Sequence, residues 1–227
     1  EQALNRQALR VLRILGYDDT KRVFSTAGVE QEYFLIDEDV FLKRPDLHFC
    51  GRTLFGAPPV RSQRSSGHYM GSIHPKIISF MDDVEKNLWE LGVYAKTVHN
   101  EVAPSQYEIV PIFTTSNLAL DHNQITMDIL KTTASRHGLA CILNEKPFDK
   151  INGSGKHVNW SIATDDGLNL LSPGDQPQNN LLFLLFLVAI LRGVDKYADI
   201  LRLSTASVAN DIRLGAHEAP PAIISVF

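Results

Sequence analysis

The stretch GVEQEYFLID, Gly28 to Asp37, constrains what this chain can fold into more than any other. Val29, Tyr33, Phe34, Leu35 and Ile36 are strand formers and argue for an extended segment. Side chains alternate along a strand, so Glu30 and Glu32, two residues apart, point to one face. Two such charges about 6 Å apart repel by roughly 2.8 kcal/mol at an effective dielectric near 20. Water screens that repulsion on a wet edge, but the flanking YFLI run predicts burial, which raises the cost. Protonation of one acid, a pairing Arg or Lys, or a bound cation would each relieve it. The stretch alone leaves these open, beside the plainer reading of a strand with one wet face.

The rest of the chain supplies elements to pack around that strand. ALNRQALRVLRILG places Leu4, Ala8, Val11, Leu12 and Leu15 on one helical face, with Gly16 as the stop. A second helix is predicted from about Pro75 to Leu91, with Pro75 in its first turn and Gly92 after its end. VYAKTVHNEV and SQYEIVPIF read as two strands broken at Pro104. A third helix covers Leu118 to Arg136, LACIL is a short buried strand, and KHVNWSIAT is an alternating one. Residues 38 to 71 and the segment STASVANDIRLGAHEAPPAII read as loop-rich. Strand pairs and helices without regular βαβ alternation predict an α+β fold with a mainly antiparallel sheet.

Composition bounds the function. Of 227 residues, 44% are hydrophobic and 21% charged, which excludes a disordered chain. A net charge of -4 gives no general support to nucleic-acid or anionic-membrane binding. The longest apolar run, LLFLLFLVAIL, has eleven residues, too few to span a bilayer, and reads as a buried core helix from about Asn180 to Ala198. Cys50 and Cys141 have no metal-ligand spacing and are expected to be free buried thiols in a reducing, cytoplasmic setting. The chain begins at Glu1 without Met and stops within the apolar run AIISVF, so a fragment of a longer protein is expected.

Three further segments carry candidate chemistry. In NEVAPSQYE, Glu101 and Glu108 are seven residues apart, a spacing that puts them on opposite faces of an unbroken strand. A bend at Ala103-Pro104-Ser105 would let them converge; the alternative is that Glu101 caps a turn and Glu108 faces water. In NGSGKHVNWS the phosphate-loop pattern fails, because Lys150 stands where its first Gly belongs and His157 follows Lys156. As a glycine turn feeding a strand, it places His157, Asn159 and Ser161 on one face and packs Val158, Trp160 and Ile162 on the other. In NDIRLGAHEAPPA, Arg213 and Glu218 flank a Gly-Ala hinge, which fits a mobile lid or a solvated surface loop.

In this order, GVEQEYFLID, NEVAPSQYEIVPIF, EKPFDKINGSGKHVNWS and NDIRLGAHEAPPAIISVF resemble the catalytic domain of glutamine synthetase, most closely its bacterial type III branch. The match runs from Gly28 to Phe227. The resemblance implies a curved antiparallel sheet forming a funnel-shaped site flanked by helices, and two cations, Mg2+ or Mn2+. Glu32, Glu101 and Glu108 would hold one cation, and Glu30 and His157 part of the other. It also implies that Asn152 and the Gly153 backbone bind glutamate, that Arg213 contacts the reacting end, and that Glu218 lies on a closing flap. Ser161 and Phe113 would lie by the nucleotide. The implied reaction joins ammonia to the γ-carboxylate of L-glutamate at the expense of ATP, in a homo-oligomer of two hexameric rings, with no nucleic-acid or membrane partner.

Departures from the family pattern are Asn159 in place of a second His, and Ile212 and His217 in place of a His and an Asn. A relative that ligates another amine and a non-catalytic scaffold are the alternatives. An N-terminal β-grasp domain and a C-terminal remainder are expected outside these residues. The 227-residue chain alone is therefore expected to lack biosynthetic activity.

Overall fold

A computed structural model of the chain describes residues 1–60, 63 and 67–214. In chain order the elements are α1 (Gln2–Ile14), β1 (Val23–Asp37), α2 (Glu38–Leu42), α3 (Pro45–Cys50), α4 (Pro75–Glu90), β2 (Ala95–Asn100), β3 (Gln106–Pro111) and β4 (Thr114–Thr115). They continue with α5 (Ser116–Arg136), β5 (Leu139–Ile142), β6 (Lys156–Thr164), a 3-10 turn (Pro177–Asn179), α6 (Leu181–Lys196), α7 (Ala198–Ser204) and α8 (Val208–Arg213).

β1 is the hub. It pairs antiparallel with β3, β4, β5 and β6, and β2 extends the sheet through β3. The sheet is curved, antiparallel and not closed. Along β1 burial alternates: Ala27, Val29, Gln31, Tyr33 and Leu35 are buried, while Gly28, Glu30 and Glu32 between them are partly open. This is the alternation a two-faced strand requires. The buried face carries Tyr33 and Leu35 into the largest core, which α4 fills with Phe80, Val84 and Leu88 and α5 with Leu130 and Ala134. A second cluster joins Ala8 and Leu12 of α1 to Val23, Ile162 and Phe186. Phe34, on the acid-bearing face, is fully buried among Leu47, Ala103 and Ile142 and closes that face beyond Glu32.

Boundaries follow the expected stops. Gly16, Gly92 and Gly138 all take the positive φ that ends a helix, at 87°, 79° and 62°. Four expectations are corrected. Neither segment read as loop-rich is all loop: α2 and α3 lie within residues 38 to 71, α8 lies within STASVANDIRLGAHEAPPAII, and α3 starts on Pro45 as a helix N-terminus prefers. α6 forms but is not a buried core helix. Only Phe183 and Phe186 are buried, while Leu181 and Val188 are 64% and 59% exposed, because the helix packs along one line of residues against the cluster around Leu12. On β6, Ile162 packs as expected but Val158 and Trp160 are half exposed, since β6 pairs with β1 alone and no described layer covers that end. Cys50 is exposed rather than buried, at the end of a short helix whose only buried residue is Leu47.

Both thiols are free. Cys141 packs against the largest core, and burial pushes its thiol up to about 12. The thiolate is the reactive form. A disulfide reagent at pH 8 is expected to titrate Cys50 rapidly and Cys141 only on unfolding in denaturant, read by mass spectrometry of labelled peptides. Equal labelling rates would contradict this packing.

Candidate functional site

β1 sets the frame for the site, and its neighbours bring the other side chains to the acid-bearing face. Across β6, His157 stands opposite Glu30, Asn159 opposite Gly28 and Ser161 opposite Thr26. His157 Nδ1 lies 2.7 Å from Glu30 Oε2, and Asn159 Nδ2 donates to Glu30 Oε1 at 2.7 Å. The shared face expected for His157 and Asn159 thus converges on one carboxylate. Ser161 Oγ meets Asn169 Oδ1 at 2.6 Å, farther out along the strand.

Across β3, Glu108 stands directly opposite Glu32. The β2–β3 hairpin answers the parity problem posed by the spacing of Glu101 and Glu108. Its turn runs through Ala103, Pro104 and Ser105, with Ser105 at φ 57°, and Glu101 N–H donates to Gln106 O at 2.8 Å. His99 faces Glu108 across the hairpin, and Glu101 is two residues beyond His99, so all three share a face. Both acids are buried, at 6% exposure each, which excludes the solvent-facing alternative. His99 Nε2 is 3.0 Å from Glu108 Oε2, and its Nδ1 is 3.5 Å from Glu101 Oε1.

The glycine turn preceding β6 closes the site from another side. Gly155 N–H donates to Glu32 Oε2 at 2.6 Å, and Glu32 N–H donates to Gly155 O at 3.1 Å. Gln106, buried, ties the turn to the hairpin: its amide donates to Gly153 O at 3.0 Å and Ser154 Oγ at 3.2 Å. Asn152 is buried in the same turn. Arg213 ends α8 and lies across Gly153 and Gly155, with its guanidinium 3.9 Å from Glu32. Close approach requires glycine at Gly153, where a Cβ would sit 2.2 Å from the Glu145 carbonyl oxygen, whereas a Cβ on Gly155 would meet only the end of Arg213, with Nη2 at 2.5 Å. Phe113, 68% exposed, lies over Gly28 on the acid-bearing face. Glu218 and His217 lie outside the described residues.

Glu30, Glu32, Glu101, Glu108, His157 and Arg213 therefore line one cavity of about 650 Å³, together with Tyr69, Lys156 and Val158. That volume is ordinary for a small-molecule site. Burial lowers the Lys156 ammonium below its ordinary range, opposed by the nearby Glu145 carboxylate. The catalytic-domain model of glutamine synthetase matches residues 4–222.

The chain belongs to the glutamine synthetase catalytic-domain family.

Its curated relatives include a glutamine synthetase of Butyrivibrio fibrisolvens, 56% identical over 100% of this chain and 32% of the relative. Another is a type-3 glutamine synthetase of Dictyostelium discoideum, 52% identical over 99% of this chain and 30% of the relative. The chain thus spans about a third of the length of these relatives. Among solved structures, the Plasmodium falciparum glutamine synthetase aligns with 92% of this chain and 42% of its own, at a TM-score of 0.65 and 21% identity. That likeness bears on the fold.

The family generally uses ATP and divalent metals, and the donors present suit a hard cation. Carboxylates dominate, with the His99 imidazole beside Glu101 and Glu108 and the His157 imidazole beside Glu30. Glu101, Glu108 and His99 can each offer one ligand atom within 4.8 Å of the others. Sequence reasoning missed His99. The signal was present in VHNEV, where His99 and Glu101 have the same-face spacing that singled out Glu30 and Glu32. It also missed Gln106, whose role depends on a turn 47 residues away.

The two glycines of the turn predict different outcomes. Alanine at Gly155 meets only the mobile end of Arg213, whereas alanine at Gly153 collides with the Glu145 backbone carbonyl as well as Arg213. Gly153→Ala should cost about 1–3 kcal/mol in a denaturant melt of the full-length protein, the scale of overpacking. Gly155→Ala should stay within about 0.5 kcal/mol, the scale of surface substitutions. Equal losses would contradict the close approach of the Glu145 carbonyl to Gly153.

Proposed function

We propose that the full-length protein ligates ammonia to the γ-carboxylate of L-glutamate, producing L-glutamine, ADP and phosphate. The observation that carries this reading is the convergence of four glutamates and His157 on one cavity in a member of this family. Buried like charges are costly unless compensated, and cations are the compensation that also serves phosphoryl transfer.

Glu32, Glu101 and Glu108 would hold one cation, and Glu30 and His157 would contribute to the second. Bound there, the cations neutralise phosphoryl oxygens and align donor with acceptor. The ladder along β1 supports the placement of substrates. Thr26, Gly28, Glu30 and Glu32 share a face, and six residues of strand span about 20 Å. Ser161 and Phe113 sit by Thr26 and Gly28, at the end proposed for the nucleotide. Asn152, the Gly153 backbone and Arg213 sit beyond Glu32, at the end proposed for glutamate.

In the proposed sequence, a γ-carboxylate oxygen of glutamate attacks the γ-phosphorus of ATP and ADP leaves. Ammonia then attacks the acyl carbon, the C–O bond to phosphate breaks, and Glu218 accepts a proton from the attacking nitrogen. Arg213 orients the reacting carboxylate. The segment that bears Glu218 would serve to exclude water, which would otherwise hydrolyse γ-glutamyl phosphate. The family relationship further supports a homo-oligomeric, cytoplasmic protein. Among the described residues, no helix is long and apolar enough to cross a membrane.

The test is an assay of the full-length protein with glutamate, ATP and Mg2+, comparing ammonia with a panel of primary amines. Glutamine and phosphate should form in equal amounts from ammonia. Glu108→Gln should lower kcat/KM by at least about 100-fold, the scale of losing one electrostatic stabiliser. Product from a larger amine with none from ammonia would overturn the choice of ammonia. No ATP- and glutamate-dependent phosphate release would overturn ligase activity altogether.

A further inference from the structure

His99 has a bonding pattern that the three-carboxylate site does not explain. Its Nδ1 lies 2.8 Å from the main-chain oxygen of Asn100. A carbonyl oxygen only accepts, so Nδ1 carries the proton in that contact. The other ring nitrogen, Nε2, points toward Glu108 Oε2, 3.0 Å away. His99, Glu101 and Glu108 each offer a ligand atom within 4.8 Å of the others, close enough to share one ion. Metal-bound histidines characteristically donate their other ring N–H to a carbonyl or carboxylate, as here. The 3.0 Å separation also matches two neighbouring ligands of an octahedron with bonds of about 2.1 Å. The ring is held from outside by Tyr69, whose centroid lies 5.3 Å away.

We propose that His99 is itself a ligand, through Nε2, of the cation held by Glu101 and Glu108. This deepens the two-cation reading above and rests on it. Each cation then has one imidazole donor, His99 on the β2–β3 side and His157 on the β6 side. A nitrogen donor favours transition metals over magnesium, so His99 would bias its site toward Mn2+.

The test uses Mn2+ and the full-length protein, and reads binding rather than turnover. Electron spin echo envelope modulation of bound Mn2+ detects a coordinated imidazole nitrogen directly. In His157→Ala, the remaining imidazole modulation is expected to persist. It should vanish in the His99→Gln/His157→Ala double variant, where Gln keeps a polar side chain of similar reach. His99→Gln alone should weaken one class of Mn2+ site by more than about 10-fold in a titration, the lower end of what losing even an outer-shell partner costs, with a smaller loss for Mg2+. Circular dichroism of each variant checks that it is folded. Loss of all imidazole modulation in His157→Ala with Mn2+ still bound would overturn the assignment of His99, while leaving the two-cation reading standing. Absence of Mn2+ binding to the unmodified protein would overturn both.

Discussion

Electrostatic repulsion between carboxylates sharing one face of a sheet is the constraint on which the rest of the structure depends. Glu32 and Glu108 are direct cross-strand partners, Glu30 is two residues from Glu32, and Glu101 lies diagonally across the hairpin from Glu108. Like charges directly opposite one another destabilise a strand pair. The surrounding protein brings polar groups to them from four directions. Asn159 and His157 meet Glu30, the Gly155 amide and Arg213 approach Glu32, and His99 reaches Glu101 and Glu108. The opposite face of β1 provides the stability to hold that arrangement. Tyr33 and Leu35 anchor it in the core built by α4 and α5. One strand thus does two jobs through its alternation alone.

Much of this was legible in the sequence because it depends on local periodicity. The same-face placement of Glu30 and Glu32, the extent of β6 and the glycine stops of α1, α4 and α5 follow from spacing and backbone preference. The convergence of Glu101 with Glu108 was legible only as one alternative, since it requires the parity of the chain to be reset by a turn at Ala103 to Ser105. Pro104 marked the place without specifying the geometry. What was not legible depends on contacts between distant segments. Gln106 joins the hairpin to the glycine turn, and Arg213 needs Gly153 and Gly155 bare of side chains to lie against Glu32.

The misreadings share a cause. Val158, Trp160 and the helix α6 are apolar enough to be read as core, yet among the described residues they are covered on one side at most. Apolar composition reports a demand for burial, not which element meets it, and this chain spans only about a third of its curated relatives. Cys50 fails in the same sense, being a residue type usually found inside but placed here at the end of a six-residue helix.

The central claim is that the gathered carboxylates exist to bind cations. Anomalous diffraction from crystals of the full-length protein grown with Mn2+, recorded on both sides of the manganese edge, tests it most directly. Two manganese peaks are predicted inside the cavity, one bonded to Glu101 and Glu108 and the other to Glu30 and His157. No manganese peak in the cavity, with these carboxylates still satisfied by His99, His157 and Arg213, would contradict it.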